Sequence, residues 1–191
     1  MMRLRRLAVM GLSALCLSGC TLVSTSSSPS LINPNNVPLG LLNPTIPFTD
    51  YAQVRWVTRD IFLLDHDNQV VPVPRSMTAP PTLAAVFYYE TQGPTPIEIA
   101  NGLTSQVGTL VVTQANIEDG VALVYVNKAL NQLSLAQQRL AAGQLLYTAD
   151  AMGATRGIEI FIDQTPFTLA LRNGEKVQLV TPSDLAYLKK A

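Results

Sequence analysis

The chain has 191 residues, 48% hydrophobic and 14% charged, with 13 basic and 13 acidic residues and a single histidine. That balance offers no basic field for nucleic acid. Its two cysteines, Cys16 and Cys20, do not make a disulfide-stapled scaffold, so stability must come from a buried core, for which the length suffices for one domain of ordinary size.

Arg3, Arg5 and Arg6 form a positive N-terminal patch, followed by the small-and-apolar run from Leu7 to Leu17. This is the charge-then-apolar layout of a signal peptide, and the run is well short of the roughly 20 residues of a membrane-spanning helix. Leu17-Ser18-Gly19-Cys20 comes next and resembles the lipobox of bacterial lipoproteins. That resemblance implies a diacylglyceryl group on Cys20 and cleavage just before it; cleavage of an ordinary soluble secreted protein is the alternative. Cys16 would leave with the signal, so the exported chain keeps one cysteine and forms no internal disulfide. Loss of the three arginines leaves ten basic against thirteen acidic residues, a net charge of about −3 with His66 neutral.

The predicted segments are therefore a signal at 1–19, a tether at 20–50 and a single domain at 51–191. Ser24 to Ser30 is serine-rich and flexible in character, and Pro34, Pro38, Pro44 and Pro47 stiffen the second half of the tether. Leu39, Leu41, Leu42 and Ile46 are too apolar for a pure linker and are expected to dock, on the domain itself or on a partner.

In the domain, Val54 to Leu64 reads as a buried strand, interrupted by turn chemistry at Asp65, His66, Asp67 and Asn68. Gln69 to Arg75 is a second strand, and Pro72 and Pro74 put it at an edge. Thr78 and the prolines at 80 and 81 suit the start of a helix through Leu83, Val86 and Phe87, stopped by Gly93-Pro94. Leu110 to Ile117 and Val121 to Val126 flank Asp119-Gly120 as a hairpin. Ser134 with Gln137 is a capping box opening a helix that runs to about Met152. Ile158, Ile160 and Ile162 lie in a strand, and Thr168 to Leu171 and Val177 to Val180 flank an Asn173-Gly174 turn. These elements predict an α/β (α+β) fold class, a mixed sheet with two main helices on one face in the order ββαββαβββ.

Residues 58 to 182 resemble the GerMN family, named from sporulation and spore-germination proteins. The resemblance is carried in order by Val70-Val71-Pro72-Val73-Pro74-Arg75, by Gly93-Pro94 with Glu98, Gly102, Leu103 and Thr104, and by Gly108-Thr109. Gly120-Val121-Ala122-Leu123-Val124, Gln144-Leu145-Leu146-Tyr147-Thr148 and Ile158 to Asp163 complete it. Asn127 and Lys128 stand where the family has an acidic residue and serine, and Gln164 stands where glycine would come after Asp163, which predicts a different turn there. The resemblance implies a small α/β module, common on envelope lipoproteins, that packs against copies of itself or other envelope proteins, without catalysis.

The residues themselves point the same way. His66 has Asp65 and Asp67 beside it but no nearby serine or cysteine to activate, and the turn lacks the glycine and distal glutamate of a calcium loop. Glu118 with Asp119, and Glu90 with Glu98, are explained as solvated turn and helix-end groups before they are read as an acid–base pair. Tyr88 and Tyr89 are adjacent on a helix and cannot face one core together, so one of them is the expected surface contact. No catalytic residue, metal or cofactor is expected. The expected role is a lipid-anchored adaptor on the outer side of the membrane, binding an envelope protein or itself. The alternative is a binder of cell-wall glycan or another small ligand through an aromatic-lined cleft.

Overall fold

The computed structural model describes residues 54–190. The expected signal, Cys20 and the expected tether lie outside these residues. No helix among the described residues is long and apolar enough to cross a membrane.

Strands β1 (Trp56–Leu64) and β2 (Val70–Thr78) form an antiparallel ribbon that pairs Leu64 with Val70 and Trp56 with Thr78. Alternation sends Ile61 and Leu63 into a cluster with Val73, Met77 and Val86, and Phe62 and Leu64 to the main core. Both faces of this end of β1 are thus covered, which explains its unbroken apolar run. The ribbon has only two strands, so Pro72 and Pro74 sit where a missing N–H costs no second ladder.

Helix α1 (Leu83–Thr91) is capped by Thr82, whose side chain accepts the Ala85 N–H, rather than by Thr78; β2 runs on through Thr78 and the prolines fall in the link. Gly93 ends the turn after α1 in the left-handed conformation, at φ 72°. A short helix that the sequence pattern did not predict, α2 (Pro96–Ala100), comes next.

Strand β3 (Val112–Glu118) and β4 (Val121–Val126) make the expected hairpin, with Asp119 and Gly120 both at positive φ as a two-residue primed turn requires. A short α3 (Ala129–Gln132) leads to α4 (Leu135–Ala151), opened by the Ser134–Gln137 capping box and closed at Met152. Strand β5 (Gly157–Ile162) pairs parallel to β4. It also pairs antiparallel with β6 (Thr165–Pro166) and with β9 (Leu179–Val180), giving a five-stranded mixed sheet. Between those two, β7 (Leu169–Ala170) and β8 (Lys176–Val177) form a small hairpin around Asn173-Gly174. A 3-10 turn over Ala186–Leu188 ends the fold.

Every residue of α4 from Ala141 to Ala149 is buried, as expected for a helix enclosed by its surroundings rather than laid on a surface. Its Leu145, Leu146 and Tyr147 share the main core with Ala122, Val124, Ile158 and Ile160 of the sheet and with Phe87 of α1. The expected order of elements is kept, with α2, α3 and two additional two-residue strands inserted into it.

Candidate functional site

Helix α2 has no buried residue, yet its position is firmly held. The Thr95 hydroxyl accepts the Glu98 N–H and the Glu98 carboxylate accepts the Thr95 N–H, a full capping box with Pro96 at the first helical position. The same Glu98 carboxylate takes both arms of the Arg75 guanidinium from β2, each at 2.7 Å. The hydrogen bonds from Arg75, opposed by partial burial and assisted by the Thr95 N–H, hold the Glu98 carboxyl down to about 2. Ile97 and Ile99, on either side of Glu98, are 75% and 59% exposed. The arrangement is a short rigid platform presenting two branched apolar side chains to solvent.

Tyr88, on α1, is 61% exposed, whereas Tyr89 is partly buried against the cluster formed by β1, β2 and α1. Their rings meet edge to face at 5.8 Å. Adjacency on the helix thus divides them as expected, with Tyr88 the outward member.

Glu90 is not the solvated helix-end group expected from the sequence, and it shares no hydrogen-bond partner with Glu98. Glu90 is fully buried, and burial pushes its carboxyl up to about 8 against the pull of the Thr148 hydroxyl. Its stripe is Leu83, Val86, Phe87 and Glu90, the i, i+3, i+4, i+7 positions of a core-facing helix; that spacing was available in the sequence and marks Glu90 as inward. The Thr95-x-x-Glu98 capping box was equally available as the signal for α2. Glu118 is at the hairpin end and pairs with the Asn116 amide.

In the Asp65–Asp67 turn, one Asp65 oxygen accepts the N–H groups of Asp67 and Gln69, and the other takes Lys190 at 3.0 Å. The Gln69 N–H is the largest influence lowering the Asp65 carboxyl, against burial and with help from Lys190. His66 is exposed and lies 3.1 Å from Asp67. Ligand atoms of the three come within 4.8 Å of one another, but Asp65 is committed to the turn and to Lys190, a donor set shaped by backbone geometry rather than by an ion. Among the other aromatic side chains, Phe87 and Tyr147 are buried, Trp56 at the start of β1 is exposed, and Tyr125 stacks on Phe161 at 4.7 Å along the sheet.

Where the chain departs from the family pattern, Lys128 forms an exposed ion pair with Asp163 at 2.9 Å. The turn at Gln164 forms without a glycine. Asp163 and Gln164 take φ of 50° and 66°, so Gln164 adopts the left-handed backbone a glycine would adopt between β5 and β6. The pairing of Ile162 with Thr165 leaves only two residues for the loop, and that length dictates the turn.

The tandem GerMN domains of the sporulation protein GerM from Bacillus subtilis are similar at 13% identity and a TM-score of 0.49, over 68% of this chain and 48% of that one. This chain therefore spans about half the length of that tandem structure. The first GerMN domain of the same protein gives 13% identity and a TM-score of 0.48, over 66% of this chain and 98% of that one. A candidate lipoprotein from Clostridium perfringens gives 12% identity and a TM-score of 0.44, over 72% and 93%. No curated protein matches the chain in sequence. The family model described as "Germane: Sporulation and spore germination" matches residues 60–168, more than half of the chain; the chain belongs to this GerMN-type family.

Proposed function

We propose that the chain is an exported lipoprotein, held at the outer side of a membrane through Cys20, whose domain acts as an adaptor for another envelope protein without catalysis. The observation that carries this reading is α2. A helix with no buried residue is kept in place by a bidentate ion pair and a capping box, with Ile97 and Ile99 directed outward. Rigid exposed apolar side chains lower the ordering cost of association. A lipid tether would raise the effective concentration of partners on the same membrane.

The chemistry-bearing residues support the same reading: His66 is paired with Asp67 on the surface, Glu98 with Arg75, and Glu90 is enclosed. The aromatic side chains are divided between core, sheet surface and helix surface, which gives the glycan alternative little support.

The test is in-cell cross-linking of the full-length protein, with Cys20→Ala and the double substitution Ile97→Ser/Ile99→Ser as comparisons. The expected result is one envelope protein captured by the parent, weakened by Cys20→Ala and lost with the double variant, while thermal melting of the double variant matches the parent. An unchanged capture pattern from the double variant would remove α2 from the interface.

A further inference from the structure

Four segments distant in sequence line an open cleft of about 400 Å³: the β1–β2 turn, the first half of α4, the β7–β8 turn and the C-terminal 3-10 turn. This volume is in the range of small-molecule sites. The C-terminal segment is fixed against the β1–β2 turn by the bridge between Val70 and Lys189 and by the Lys190–Asp65 ion pair.

Two guanidinium groups line the cleft, Arg139 and Arg172. Arg139 donates to the Ala170 carbonyl at 3.0 Å, and Arg172 lies over the Tyr187 ring at 3.6 Å. Each is thus oriented by one contact that leaves other N–H donors unused, and neither forms a salt bridge among the described residues. Tyr187 also lines the cleft, and its hydroxyl is buried without a hydrogen-bond partner among the described residues. The one carboxylate of the lining, Asp67, lies beside His66, so the cleft carries one more positive than negative charge.

We propose that this cleft binds the carboxylate terminus of a short peptide. Planar guanidinium forks match the two oxygens of a carboxylate, and a stacked guanidinium keeps its plane on binding. The rest of the lining suits the body of a peptide rather than a bare anion: Asn68 and Gln69 offer amides to its peptide groups, and the half-buried Leu140 offers apolar surface to a side chain. This inference is independent of α2 and of the adaptor reading.

The test is calorimetric titration of the full chain, kept unacylated by Cys20→Ala, with N-acetyl-alanyl-alanine, with the same dipeptide as its C-terminal amide, and with inorganic phosphate. The acid is expected to bind at least ten-fold more tightly than the amide and than phosphate. Arg139→Gln and Arg172→Gln are each expected to weaken the acid about ten-fold. Arg172 is exposed, so its variant keeps the parent's melting temperature and separates lost binding from lost folding. Equal binding of acid and amide would overturn the proposal, and so would the absence of heat from both at 10 mM probe, about the weakest affinity worth the name of a site. Phosphate binding as tightly as the acid would replace the peptide with a general anion site.

Discussion

Thr148 on α4 donates its hydroxyl to the Glu90 carboxyl on α1 at 3.0 Å and accepts the backbone N–H of Phe62 on β1 at the same distance. One hydroxyl therefore joins the two longest helices to the ribbon in the interior. The other Glu90 oxygen has no partner among the described residues, and an enclosed carboxylate would be costly. With burial pushing it to about 8, the folded chain carries a neutral Glu90 at pH 7.

Stability should consequently fall with rising pH. The unfolded chain ionises Glu90 near its ordinary value of 4.5, while the folded chain retains the proton to about 8. The contribution is complete below 4.5 and is lost as pH rises through about 8, at a limiting slope of about 1.4 kcal/mol per pH unit. Thermal melting from pH 5 to pH 8 should show this decline, and Glu90→Gln should flatten it and raise the melting temperature at pH 8. A Glu90→Gln protein with the parent's pH profile would show that the carboxyl is not protonated in the fold.

Glu98 acts in the opposite direction. Its carboxyl is held down to about 2 by Arg75 first, so its contribution is present above 4.5 and lost as pH falls toward 2. The two glutamates together predict maximal stability near pH 5. Both members of the Arg75 pair are mostly but not fully covered. Glu98→Gln should therefore cost about 1–2 kcal/mol at pH 7, between the values of exposed and enclosed charged bonds, and only a fraction of that near pH 2, where the folded carboxyl is about half protonated. Chemical denaturation at both pH values measures the difference. Loosening α2 should also weaken whatever Ile97 and Ile99 hold.

The same residues show where sequence reasoning reaches. Ser134 and Gln137 announced α4, and Asp119-Gly120 announced the β3–β4 hairpin, because caps and two-residue turns are local chemistry. Thr95 and Glu98 carry the same capping signal, but five residues make too short a periodic run for α2 to register as a helix. Strand β6 has two residues and exists only through its pairing with β5, and the strand expected at Val177 to Val180 divides into β8, paired with β7, and β9, paired with β5, a division that no local pattern can express. The separation of Tyr88 from Tyr89 followed from helical geometry alone. The Arg139–Arg172 cleft did not, since its walls come from segments more than a hundred residues apart.

Gln144 is the next test of interior polar order. It is fully buried in α4, accepts the Gln106 N–H at 2.7 Å and donates to the Phe62 carbonyl at 2.8 Å and to Ser105 at 3.3 Å. Leucine is of similar size, so Gln144→Leu tests the bonds rather than the volume. It leaves a donor and an acceptor of the backbone without partners, a cost of about 2–4 kcal/mol. Amide exchange should speed up at Gln106 more than at Asn116, which lies in the β3–β4 ladder away from the substitution. Equal acceleration at both would mean that the substitution lowers global stability without a local opening.

Two positions of positive φ should respond in opposite senses to exchange of a side chain. Gly157 begins β5 at φ 135°, and a Cβ there would collide with the Val180 carbonyl oxygen where β5 meets β9. Backbone on one side and a glycine-only conformation on the other leave no inexpensive adjustment, so Gly157→Ala should lose about 3 kcal/mol or more. Gln164 is the reverse case, an exposed L-residue at φ 66° in a turn whose two-residue length demands that conformation. Gln164→Gly relieves the left-handed strain of about 1–2 kcal/mol and gives part of it back through the greater freedom of the unfolded chain. A net gain of about 0.5–1 kcal/mol in denaturant melts is expected. A loss at Gln164→Gly would mean that the glutamine side chain stabilises the turn by a contact stronger than the strain it imposes.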